Sequence, residues 1–145
     1  MTIEQLRDRC AYWQQVLRLQ DWDITVEIVR SRAIEDAVGK IHPLFSKKIA
    51  RIKLQDRYDA CQPDAIYQSD QEVDLVHELL HCHFIACEPE DWDDLKGETT
   101  HQAIHAISTA LVKLDRGRFG PEVATEKSEP SVTEMLVAIR GNGTA

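Results

Sequence analysis

The stretch VDLVHELLHCHF, Val73 to Phe84, decides how this chain is read. It sets His77, Glu78 and His81 in the order H-E-x-x-H inside an apolar run with the character of a helix. Residues four apart share one helical face, so His77 and His81 can aim their imidazoles at a single ion. Glu78, one step round, cannot take the same position but can reach a water there and act as general base. Two ligands and a base thus come from five residues. Composition alone yields the pattern roughly 2% of the time, and its context makes coincidence a poor account. Leu79 and Leu80 fill the variable positions, and Val73, Val76 and Phe84 extend the apolar wall that a metal site needs.

Working outward, Ser69-Asp-Gln-Glu72 is a capping-box pattern with Ser69 as N-cap. It predicts a helix from near Asp70 to about Cys87, with Pro89 beyond. An acidic loop, EPEDWDDLKGE, follows. Thr99 to Gln102 offers a second capping box, opening a helix through Ile104, Ile107, Leu111 and Leu114 that ends at Gly117. A catalytic zinc site takes three protein ligands and keeps one position open, so a third ligand is needed. His101 and His105 form another i, i+4 pair, and Glu98 stands just before the second box. The candidates rank His101, then Glu98, then His105; a histidine left over can orient a ligand through its other ring nitrogen. Asp74 can do the same, or simply favour the helix N-terminus. His83 reads as peripheral and Cys82 as no ligand. Tyr58, Tyr67 and His42 are the candidate donors to a developing oxyanion.

Upstream, Ile3, Leu6, Cys10, Trp13 and Leu17 give a helical stripe over residues 3 to 19. DITVEIV alternates as a half-buried strand, GKIH predicts a short strand stopped by Pro43, and KKIARIKLQ predicts a third. Ala50, Ile52 and Leu54 would face inward, and the charged opposite side suits a sheet edge. The expected fold is α+β: an N-terminal helix, a small three-stranded antiparallel sheet, the HExxH helix and a partner helix. The expected organisation is a domain over 1–116, then a linker and short C-terminal helix over 117–145. Gly117, Gly120, Pro121 and Pro130 mark the linker, and Ser131 to Glu134 is a third capping box. The helix over 132–140 either packs on the core or acts as a self-inhibiting lid.

The 145 residues carry a net charge of -8, with 43% hydrophobic and 29% charged residues. That is the composition of an ordinary globular domain, and its sign disfavours nonspecific nucleic-acid binding. The charge is uneven. Residues 30–57 hold eight Lys/Arg against three Asp/Glu, while 59–98 hold twelve acidic residues against Lys96 alone. The basic stretch reads as solvated strand surface, or as a face for an anionic partner. No run is long and apolar enough for a membrane, and no signal-peptide pattern opens the chain, so the cytoplasm is expected. Cys10, Cys61, Cys82 and Cys87 are scattered and expected as reduced thiols, Cys82 and Cys87 as small buried residues.

The order of helix, short sheet, VHELLHCHF helix and ETTHQAIHAISTALVKL helix resembles the minimal zincin metallopeptidases. It is similar to the small SprT-like and phage-encoded metallopeptidases, and more loosely to gluzincins. The resemblance covers about residues 3 to 115 in layout, with HELLH its specific core. It implies one zinc ion per chain, peptide-bond hydrolysis of a protein or peptide substrate, and an edge strand that holds the substrate extended. KIARIKL, with Ile49, Arg51 and Lys53, would fill that place. The chain departs from its relatives' patterns downstream: gluzincins place a glutamate where this chain has His101, and SprT-like proteins place a histidine closer to the motif. Two further readings stay open: a non-catalytic zinc-stabilised binding module, and a DNA-associated SprT-like protease using the basic stretch.

Overall fold

A computed structural model describes residues 1–35, 37–59, 69–87 and 94–118. The chain divides into two compact units, Met1–Asp115 and Arg116–Ala145; only residues 116–118 of the second are described. The proposed tail helix, its capping box at Ser131, Tyr67 and Cys61 lie outside the described residues.

Helix α1 spans Ile3–Val16 and starts at a capping box in which Thr2 and Gln5 satisfy each other's backbone N–H groups. It buries Leu6, Cys10 and Trp13. Strands β1 (Asp23–Val29), β2 (Gly39–Leu44) and β3 (Ile49–Gln55) follow, then α2 (Gln71–Phe84) and α3 (Leu95–Arg118). Single 3-10 turns at Ser31–Ile34 and Phe45–Lys47 join the strands. The α+β architecture is as expected, but the sheet is mixed rather than antiparallel. Its order is β1-β3-β2, with β1 parallel and β2 antiparallel to β3. A parallel pair needs a crossover of a dozen or more residues, and residues 30–48, β2 among them, supply it. Strand alternation in sequence carries no direction, so it could not reveal this.

The same order corrects the reading of KIARIKL as an edge. β3 is the central strand, paired along Ile49–Gln55 on one side and Ile49–Leu54 on the other. Its Ile49, Arg51 and Lys53 project from the sheet face opposite the buried Ala50, Ile52 and Leu54. Charges alternating with apolar residues mark an uncovered face as readily as an edge. The edges are β1 and β2. At β2, Gln55 N–H donates to the Val38 carbonyl at 2.9 Å. The register then bonds Lys40, His42 and Leu44 to β3 and turns the main chain of Gly39, Ile41 and Pro43 toward the outer edge, which no strand among the described residues pairs. Pro43, with no N–H to lose, does not stop the strand because it falls in that phase.

The core joins Val26, Ile52 and Leu54 of the sheet to Leu6 and Trp13 of α1, Leu75, Val76 and Leu79 of α2, and Ile104 and Val112 of α3. Every residue of α2 from Gln71 to Leu80 is buried. Its cap is Asp70, whose side chain accepts the Glu72 N–H at 3.1 Å, and not Ser69, whose hydroxyl donates to Asp74 instead. Glu72 is thereby released for a longer reach: it accepts from the Arg9 guanidinium and, at 3.0 Å, from Trp13 Nε1. Arg9 also donates to Asp115 on α3 at 2.6 Å, and the Tyr12 hydroxyl donates to the same carboxylate. α3 starts five residues earlier than the expected cap at Thr99 implies. Asp94 caps it, accepting Gly97 N–H through Oδ1 at 2.6 Å, and Thr99 already sits one turn inside, donating to the Leu95 carbonyl.

Candidate metal centre

Helical spacing stacks His77 and His81 on one side of α2, with ring centroids 5.1 Å apart. Across from them, α3 presents His101, whose ring lies 4.6 Å from that of His77. The two Nε2 atoms stand 3.0 Å apart. One ligand atom from each of His77, His81 and His101 lies within 4.8 Å of the others. Nitrogens bound at about 2.0–2.1 Å to a tetrahedral zinc stand about 3.3 Å from one another, so the trio needs only small adjustment to share an ion.

The electrostatics suit the same role. His77 is buried, and that burial, followed by the neighbouring His101, His81 and His105, pulls its pKa down to about 3. His101 is also lowered, first by burial and then by His81 and His105. Metal ligation requires neutral imidazole, and burial favours that form at His77 and His101. The donor set and spacing therefore fit zinc.

Of the rival third ligands, Glu98 lines the cleft from the first turn of α3 without joining the trio. His105 lies one turn further along, its ring 6.1 Å from that of His77, and its carbonyl accepts from Ser108 Oγ. Glu78 is buried and lines the same cleft, which is open and has a volume of about 350 Å³. His81 and His101 line it too, and the opposite wall is Gly39, Lys40 and Ile41 of β2. That wall was missed from the sequence. Its one signal was the glycine inside a strand pattern, which marks close approach of another group.

Other expected residues stand elsewhere. His42 lies exposed on the uncovered sheet face and Tyr58 is exposed in the turn after β3, so neither joins the cleft. Asp74 faces the start of α2 through Ser69. His83 is peripheral, its Nε2 2.7 Å from the Leu17 carbonyl at the end of α1. Cys82 is buried as expected, but Cys87 is exposed because α2 has already ended at Phe84. Within the basic stretch, Lys40, Lys48 and Arg51 face Glu35, Asp21 and Glu27, which reduces the field available to an anionic partner. No helix among the described residues is long and apolar enough to cross a membrane.

The chain matches no protein-family model, no curated protein and no solved structure.

Proposed function

We propose that this chain is a zinc-dependent peptidase, with His77, His81 and His101 as ligands and Glu78 as general base. The observation that carries the reading is convergence: His81, His101, the buried Glu78 carboxylate and the β2 edge line one cleft, and His77 brings a third imidazole nitrogen within 4.8 Å of the other two. Zinc held by the trio would supply Lewis acidity, polarising a substrate carbonyl and lowering the pKa of a water. Glu78 takes the proton of the attacking water on its carboxylate and returns it to the leaving amine. The outward main-chain groups of Gly39 and Ile41 pair with an extended peptide, and Pro43 ends that ladder for lack of a donor. The substrate strand thus lies along β2, not β3. Cys10 and Cys82 are buried and Cys87 is exposed, and the setting we propose for the chain is a reducing compartment such as the cytoplasm.

Metal analysis of the purified protein tests this reading. One zinc per chain is expected, lost in His77→Ala, His81→Ala and His101→Ala and kept in Glu98→Ala and His105→Ala. Glu78→Gln should keep the zinc and lower peptide hydrolysis by about 10²–10⁴-fold. Zinc bound without any hydrolysis would leave the zinc-stabilised binding module as the better account. No bound zinc in the unaltered protein would remove both.

A further inference from the structure

We propose that Gly39 is a positioning residue: its bare Cα leaves the notch that fixes where the Glu78 carboxylate stands in the cleft. This rests on the reading of Glu78 as general base. A Cβ on Gly39 would lie 2.7 Å from Glu78 Oε1, 3.2 Å from Glu78 Cγ and 3.2 Å from Leu54 Cδ2. Two of those three contacts belong to one side chain, and the shortest is to an oxygen of the carboxylate that would do the chemistry.

Gly39 is not there for its backbone. No glycine among the described residues has a positive φ, so position 39 has an extended conformation that any residue can adopt. Glycine inside a strand is itself unfavourable, because it loses more freedom on folding than alanine does. What the position gains in exchange is space, and Glu78 occupies it. Leu54 could yield at the tip of its side chain. Glu78 cannot swing freely, since it is 6% exposed and its Cγ also crowds the site. A methyl group at position 39 therefore displaces the carboxylate while leaving the histidines alone. The same residue turns its N–H and C=O to the edge where the peptide would pair, so base and substrate main chain are referenced to one Cα.

The test is a double-mutant cycle read in melting temperature, beside zinc binding and kinetics. Gly39→Ala should lower the melting temperature by roughly 5 °C. In a Glu78→Ala background the same change should be neutral or stabilising, because the space is vacant and alanine restricts the unfolded chain. Equal losses in both backgrounds overturn the proposal. Zinc affinity of Gly39→Ala, from competition with a chromophoric chelator, should stay within about threefold, since the ligands are untouched. On a quenched peptide substrate, kcat should fall about 100-fold with KM nearly unchanged. Adding Glu78→Asp, whose shorter side chain clears the methyl group, should recover part of the loss. Unaltered kcat in Gly39→Ala also overturns the proposal. If the zinc-loaded native protein hydrolyses nothing, the peptidase reading fails, and the stability cycle alone still decides whether Gly39 holds Glu78 in place.

Discussion

Burial and three neighbouring imidazoles hold His77 neutral in the folded chain, with its pKa near 3 against an ordinary 6.5. Between those values the unfolded chain binds a proton there and the folded chain does not, so stability rises with pH across the window and falls on acidification. Taking chelator-treated protein from pH 7 to 5.5 should cost about 1.3 kcal/mol from this residue alone, measured as a shift in denaturant midpoint. His77→Gln should flatten the profile; a native protein equally stable at both values would contradict the described environment. Much of the site was legible at this scale. The i, i+4 spacing of His77 and His81 put two nitrogens on one face, and His101 headed the ranking for the third. Spacing alone ranked His101 ahead of His105 but kept both as candidates. They lie one turn apart on α3, and which one meets His77 depends on how far α3 is displaced along α2, a tertiary quantity.

That displacement is set between elements. α2 is buried on all sides from Gln71 to Leu80, so its polar residues must find partners inside the fold. Among the described residues, no buried side-chain nitrogen or oxygen lacks one. At the end of α2 away from His81, Arg9 of α1 ties Glu72 of α2 to Asp115 of α3, bracing the two helices whose other parts carry the histidines. Arg9→Ala would leave two buried carboxylates facing each other without a cation, at a cost of about 3 kcal/mol, measurable by urea unfolding. The sequence offered Glu72 as half of a capping box, which it is not, because a residue within reach of its own N-cap is equally within reach of a tertiary arginine. The helices and strands could be located from apolar periodicity. The direction of β1 and the central place of β3 could not, since both arise from how the crossover over residues 30–48 returns the chain.

Over the whole molecule, the candidate site draws residues 39–41, 77–81 and 98–101 together from three elements. An unfolded chain offers no such convergence, so a bound ion would act on folding as a ligand of the native state. At a thousandfold excess over its dissociation constant, zinc would add about 4 kcal/mol. Stripping it should lower the melting temperature by roughly 10 °C. His101→Ala should melt at the same temperature with and without chelator. A native protein indifferent to chelator would show that zinc contributes nothing to this fold.

The outer edge of β2, unpaired among the described residues, bears on how the protein behaves when concentrated. An edge that would pair with an extended chain along Gly39 and Ile41, as proposed, would equally pair with the same strand of another copy, and unpaired edges seed aggregation. Pro43 limits that hazard. It keeps its place in β2 because its missing N–H faces outward, and it thereby cuts the exposed ladder short. Pro43→Val would restore the donor and lengthen the ladder. The variant should remain folded yet self-associate as concentration rises, visible in light scattering where the native chain stays dispersed.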